Sequence, residues 1–172
     1  MLFSPKRRRE RDAAEALYRS VSEASRRPIL YTDLGVPDTL EGRFESLLLH
    51  LFPVVERLRS GEDADPDFSR LVAEAFIADM DATLREMGVG DLAVPRRVKE
   101  MYGAFGGRFA AYAGAKGDHD ALAVAVRRNV FDDAAAAPEA VRLASYLQAA
   151  VADLASVPVT ALKRGAPFFP DP

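Results

Sequence analysis

The side chains with the most capacity for chemistry are cations. Lys6, Arg7, Arg8, Arg9 and Arg11 crowd the start of a 172-residue chain whose net charge is −3. Such a cluster is either the solvated, frayed start of a helix or a contact for a polyanion. The polyanion is an anionic lipid surface, with Met1-Leu2-Phe3 dipping into it, or ribosomal RNA. A second group, Arg96, Arg97 and Lys99, follows the glycine turn Gly88-Val89-Gly90-Asp91. The helix dipole disfavours cations in first turns, so this group has a binding role or forms a salt-bridged face. The turn itself is no phosphate loop, because no Gly-Lys-Ser/Thr follows it and no strand precedes it. Asp79 projects close to an apolar helix face and needs a partner, for which Arg43 and Arg97 are the candidates. Asp81 and Arg85 are spaced for an i,i+4 pair on the outside. His50 is read as a hydrogen-bonded structural histidine. The two histidines, His50 and His119, are too far apart in sequence for a metal site, and the chain has no cysteine. Thiolate ligands and disulfides are therefore excluded, and no metal or cofactor is expected. No Gly-x-Ser-x-Gly and no His-Glu-x-x-His occurs. A non-enzymatic role is expected, and the net charge excludes a generally basic DNA-binding protein.

The elements that position these groups read as helices throughout. The stretch Asp38–Ser60 is apolar almost all round: Phe44, Leu47, Leu48, Leu51, Val55 and Leu58 form one stripe, and Leu49, Phe52 and Val54 widen it. It is too short to span a bilayer, so it becomes the central helix of a soluble bundle. Asp38 and Glu41 resemble a capping box at its start, and Gly42 permits close approach of another backbone. Pro28–Pro37 reads as a connector. Asp65 with Pro66 starts a third helix, Pro95 a fourth, and Asp118 caps a fifth. A last long helix follows Pro138, and Pro158 and Gly165 bracket a short helical turn. The expectation is an all-α, single-domain bundle of about six helices over residues 1–172. Residues 1–12 form a basic N-terminal segment and 166–172 an irregular tail, with Phe168 and Phe169 either folded back or exposed.

Some apolar surface exceeds what one core needs. Leu49 and Phe52 are part of it, as is a second face of the third helix with Met80, Leu84 and Met87. Gly103, Gly106 and Gly107 stand beside Phe105 and Phe109 at a cost in helix propensity, which points to close contact with another helix or to a groove floor. Excess of this kind marks a partner surface or a small-ligand pocket. The candidate partner-binding set is Met80, Leu84, Met87, Arg97, Lys99 and Phe105.

Two tracts, DTLEGRFESLLLHL (38–51) and FIADMDATLREMGVGDLAVPRRVKEM (76–101), together with MLFSPKRRRERDAAEALYRSV at the start, resemble the α-proteobacterial branch of the ubiquinol–cytochrome c chaperone family. The resemblance implies an all-α assembly factor that binds nascent or unassembled cytochrome b of the bc complex, with the ribosome as a further partner. It carries over Gly42, Arg43, Phe44, His50, Asp79, Asp81, Arg85, Gly88, Gly90, Asp91, Arg97, Val98 and Lys99 as motif positions, with a departure around Ala93, Pro95 and Arg96. A cytoplasmic protein, peripheral on the inner membrane, is expected. The alternative is a peripheral membrane helical adaptor that uses the basic N-terminus.

Overall fold

The computed structural model describes residues 5–133, 137–165 and 169–171. The Met1-Leu2-Phe3 segment and Phe168 lie outside them. Among the described residues the chain is helical, without strands. Its elements are α1 (Pro5–Ala24), α2 (Pro28–Thr32), α3 (Leu40–Arg59), α4 (Pro66–Glu86), α5 (Val94–Ala115), α6 (His119–Val130), α7 (Ala137–Ala155) and α8 (Val159–Leu162). The all-α expectation holds, and the central helix is α3. The extra element is α2, inside the stretch read as a connector, where Pro28 opens a single turn of helix.

Local chemistry starts most of these helices. The Asp65 carboxylate accepts from the Phe68 backbone N–H at 2.9 Å, and that of Asp118 from the Ala121 N–H at 3.0 Å. At α3 the cap is Thr39 rather than Asp38: the Thr39 hydroxyl accepts from the Gly42 N–H at 3.0 Å. Asp38 instead pairs with Arg43 at 2.7 Å on the exposed side.

Why α3 is apolar on nearly every side becomes plain from its two neighbourhoods. Leu47, Leu48, Leu51, Val54, Val55 and Leu58 join a core built with α1, α4, α8 and Phe105 of α5. Leu49 and Phe52 point the other way, into a second core with α2, α5, α6 and α7. Both are 1% exposed. They are therefore not spare partner surface, because the bundle has two cores and α3 is the wall they share. The helix continues through Pro53 to Arg59. Tyr18 of α1 meets Phe76 and Asp79 of α4, and the first turns of the two helices face one another, so α1 and α4 run parallel. α5 returns antiparallel to α4, with Phe105 stacked on Phe76 at 5.4 Å.

The glycines of α3 and α5 have opposite surroundings. A Cβ on Gly42 would lie 1.9 Å from the Pro37 carbonyl oxygen, so the chain entering α3 needs a glycine there. Around Gly103, Gly106 and Gly107 nothing stands within 4 Å of an added Cβ, and all three are exposed. Among the described residues they make no close contact with another helix. Gly42→Ala is therefore expected to lower stability by about 1–3 kcal/mol through overpacking. Gly103→Ala should raise it by roughly 0.5–1 kcal/mol through helix propensity. Urea unfolding of the two variants beside the wild type reads both signs.

Candidate binding surface

Of the large apolar side chains exposed among the described residues, Leu40, Val124 and Val141 stand singly on α3, α6 and α7, whereas Met87, Leu92 and Tyr102 belong to the end of α4, the turn after it and α5. The end of α4 is a Schellman motif: Val89 N–H donates to the Leu84 carbonyl at 3.0 Å and Gly88 N–H to the Arg85 carbonyl at 2.9 Å. Gly88 takes φ +80°, which a side chain would strain. Arg85 pairs with Asp81 at 2.7 Å, the expected i,i+4 bridge, and also with Asp91 at 2.5 Å. These bonds fix the turn to the helix before it. Leu92 at its tip is 100% exposed, Met87 is 54% exposed and Tyr102 of α5 is 49% exposed. Leu84, Val89, Val98 and Met101 are half-buried around them. A leucine displayed in full by a turn so firmly tied is a built feature of the surface rather than a frayed end.

Cations border this patch. Arg96 and Arg97 share Glu100 loosely, at 3.7 and 3.8 Å, and Lys99 has no carboxylate within ion-pairing distance among the described residues. Behind the patch an aromatic series leads inward. Tyr102 stacks on Phe105 at 5.7 Å, and Phe105 on Phe109 at 4.0 Å. Met80 and Phe105, read from sequence as groove walls, are buried in the first core and support the patch from beneath. The surface at this junction holds Leu84, half-buried, with Met87, Arg97 and Lys99, all exposed. Leu92 and Tyr102 complete it. The segment Leu92-Ala93-Val94 between the breakers Gly90 and Pro95 was a signal for an apolar turn, but not for which of its residues is exposed: Val94 is buried and Leu92 is not.

The remaining motif positions divide differently. Gly90 is exposed with open space around it, and Phe44 is half-buried against Phe76 at 6.3 Å. The partner of Asp79 is neither Arg43 nor Arg97. The Tyr18 hydroxyl donates to its Oδ2 at 2.5 Å, tying α1 to α4, and burial together with this bond raises the Tyr18 pKa. Both arginines are exposed and paired locally instead. His50 is fully buried. Its Nδ1 lies 2.8 Å from the Ser46 carbonyl, which only accepts, so Nδ1 carries the proton and Nε2 accepts from the Tyr146 hydroxyl at 2.8 Å. Phe169, folded back from the tail, packs edge-on against the His50 ring at 5.0 Å. Sequence reasoning missed the ion pair of Glu45 and Arg108, which joins α3 to α5 with a guanidinium nitrogen 2.7 Å from Oε1. Glu45 lies on the Leu49 and Phe52 stripe, four and seven residues before them, which was its signal. Burial raises the Glu45 pKa, opposed by the Arg108 guanidinium.

Lys6, Arg7, Arg8, Arg9 and Arg11 are all exposed on the first turns of α1. Because α1 and α4 are parallel, they stand at the end of the bundle opposite the α4–α5 turn. Lys6, Arg7, Arg8 and Arg11 line one wall of an open cleft of about 720 Å³, and the start of α4 forms the other.

A model of the family described as ubiquinol-cytochrome C chaperone matches residues 32–169. Among solved structures, the crystal structure of the Cbp3 homolog from Brucella abortus is similar. Its TM-score is 0.84 at 33% identity, over 96% of this chain and 93% of that one. Curated protein sequences include no match.

His50 predicts a pH dependence. Burial holds its pKa down to about 4, from an ordinary value of 6.5. The unfolded chain thus binds a proton that the folded chain rejects, and stability falls as pH drops from about 6.5 toward 4. The loss approaches about 3 kcal/mol. Glu45, whose pKa is raised, acts with the opposite sign near the carboxylate range. Unfolding free energies measured at pH 7 and pH 5 are expected to differ less in His50→Gln than in the wild type. An equal slope in both would overturn the assignment to His50.

Proposed function

The chain belongs to the ubiquinol–cytochrome c chaperone family, and on that premise we propose that it assists assembly of the cytochrome bc complex by holding unassembled cytochrome b, without covalent chemistry, on the α4–α5 turn. The observation that carries this reading is the exposure of Met87 and Leu92 on a turn that Arg85 and the Schellman motif hold in place, together with that of Tyr102 on α5. Burying such a patch against an apolar partner gains about 25 cal/mol per Å². Methionines at 80, 87 and 101 stand in or beneath it, and methionine adapts to varied partner shapes. Arg96, Arg97 and Lys99 supply a rim for acidic or headgroup-bearing segments of the client. The chemistry is that of a reversible shield. An apolar segment of a polytopic protein stays covered until its own partners and haem replace the chaperone.

No helix among the described residues is long and apolar enough to cross a membrane. In this proposal the protein works at the cytoplasmic side of the inner membrane, attached peripherally through the basic start of α1. A role confined to membrane attachment, as an adaptor, is favoured by that same cluster but leaves the α4–α5 patch without a purpose. The ribosome is a further partner in the proposal, since the client is captured as it is made.

Photo-crosslinkers at Met87, Leu92 and Tyr102 during translation of cytochrome b are expected to capture it. The same group at Glu62 or Asp133, both exposed and on other loops of the chain, should not. Leu92→Asp should reduce assembled bc complex several-fold with an unchanged melting temperature. Uniform crosslinking from all five positions, or normal assembly with Leu92→Asp, argues against this surface as the client site.

A further inference from the structure

We propose that the protein docks end-on on anionic phospholipid, with the cations at the start of α1 on the headgroups and the α4–α5 patch held away from the surface. This deepens the peripheral attachment proposed above by fixing which end of the bundle meets the lipid. The face of α1 that a flat-lying amphipathic helix would bury in lipid is already used: Ala14, Leu17, Tyr18 and Val21 are in the first core. What remains for a membrane is the end of the helix. Lys6, Arg7, Arg8 and Arg9 occupy consecutive positions there, and about 100° between neighbours spreads them around the axis rather than along one side. Among the described residues none of these four has a carboxylate within ion-pairing distance. The facing wall does not neutralise them either, because Asp65 is taken by Lys163 and Glu74 by Arg70. Glu10 and Asp67 also line the cleft and leave it net positive.

The chain as a whole carries −3, so attraction to a polyanion is local to this end and orients the molecule. Lipid fits better than RNA. Among the described residues, the aromatic ring that lines the cleft beside the cluster is Phe68, which is buried under Lys163 and unavailable for base stacking. α4 has 21 residues and is about 30 Å long. It sets the distance from the lipid-facing end to Leu92, nearly four times the reach of surface charge at physiological salt, where the Debye length is about 8 Å.

The chain has no cysteine, so single labels report orientation directly. Glu62→Cys, at the lipid-facing end, and Leu92→Cys, at the far tip, would each carry an environment-sensitive dye. Each is mixed with vesicles of phosphatidylglycerol and phosphatidylcholine that contain a headgroup quencher. Strong quenching at position 62 and little at 92 is expected. Arg7→Gln with Arg8→Gln should lower vesicle partitioning on the order of 30-fold, at two residues contributing about fivefold each, while circular dichroism stays unchanged. Equal or greater quenching at position 92, with the protein still recovered on vesicles, overturns the end-on orientation and leaves attachment intact. Recovery that ignores both salt and the double substitution overturns the role of the α1 cations. Binding to ribosomal RNA but not to vesicles overturns lipid as the partner. None of these outcomes touches the client assignment, which is read from crosslinks to cytochrome b.

Discussion

Burial of α3 on two opposite sides is the constraint from which the other contacts follow. A helix with a single apolar stripe can be satisfied by one layer of neighbours. α3 has Leu48, Leu51 and Leu58 facing one way and Leu49 and Phe52 facing the other, all 1% exposed or less, so it needs neighbours on both sides. α1 and α4 supply the first side; α6 and α7 supply the second. α5 spans the seam, with Phe105 in one core and Tyr112 in the other. The arrangement requires a helix that is cheap to desolvate, and the few polar groups on α3 are each met. Glu45 has Arg108, Ser46 donates to the Ser25 carbonyl at 2.8 Å, and His50 has Ser46 and Tyr146. Removing one partner of a buried ion pair leaves an uncompensated charge, which is why such pairs are costly to break even where their net contribution is small.

With α3 fully used, the partner surface has to come from elements at the periphery. α4 and α5 meet this need because they pack against the central wall with their middles and leave their junction beyond it. The aromatic series from Tyr102 through Phe105 to Phe109 runs from solvent to the seam between the cores.

The all-α architecture, the central position of Asp38–Ser60 and the caps at Asp65 and Asp118 were legible because apolar periodicity and capping chemistry are local in the sequence. Gly42 was legible as a close-approach glycine, though not that the Pro37 carbonyl is what approaches. The misreadings have one physical origin, since a stripe does not say what faces it. Leu49 and Phe52 look like spare surface until a second core is known to exist. Asp79 looks like one half of an ion pair until Tyr18 is placed beside it by the parallel run of α1 and α4. Gly103, Gly106 and Gly107 look like a helix contact, yet they face solvent. Exposure of Leu92 depends on how the turn is tied down, and the Gly88 conformation and the second bond of Arg85 appear only in three dimensions.

The fastening of α1 by the tail bears on how the chain acquires its shape. Ser20 donates to the Gly165 carbonyl at 2.7 Å, and Arg27 donates to the Pro170 carbonyl, 143 positions away in the chain. Phe169 then closes over His50. During synthesis the helices that line this seam are made long before the residue that seals it. Contacts of such sequence separation form late, after loop closure has become affordable. A nascent copy therefore passes through a stage in which His50 and the neighbouring apolar walls are open to water, and species of this kind are prone to aggregation. A chain made only as far as Gly165 has the carbonyl that Ser20 needs but not the ring that covers His50.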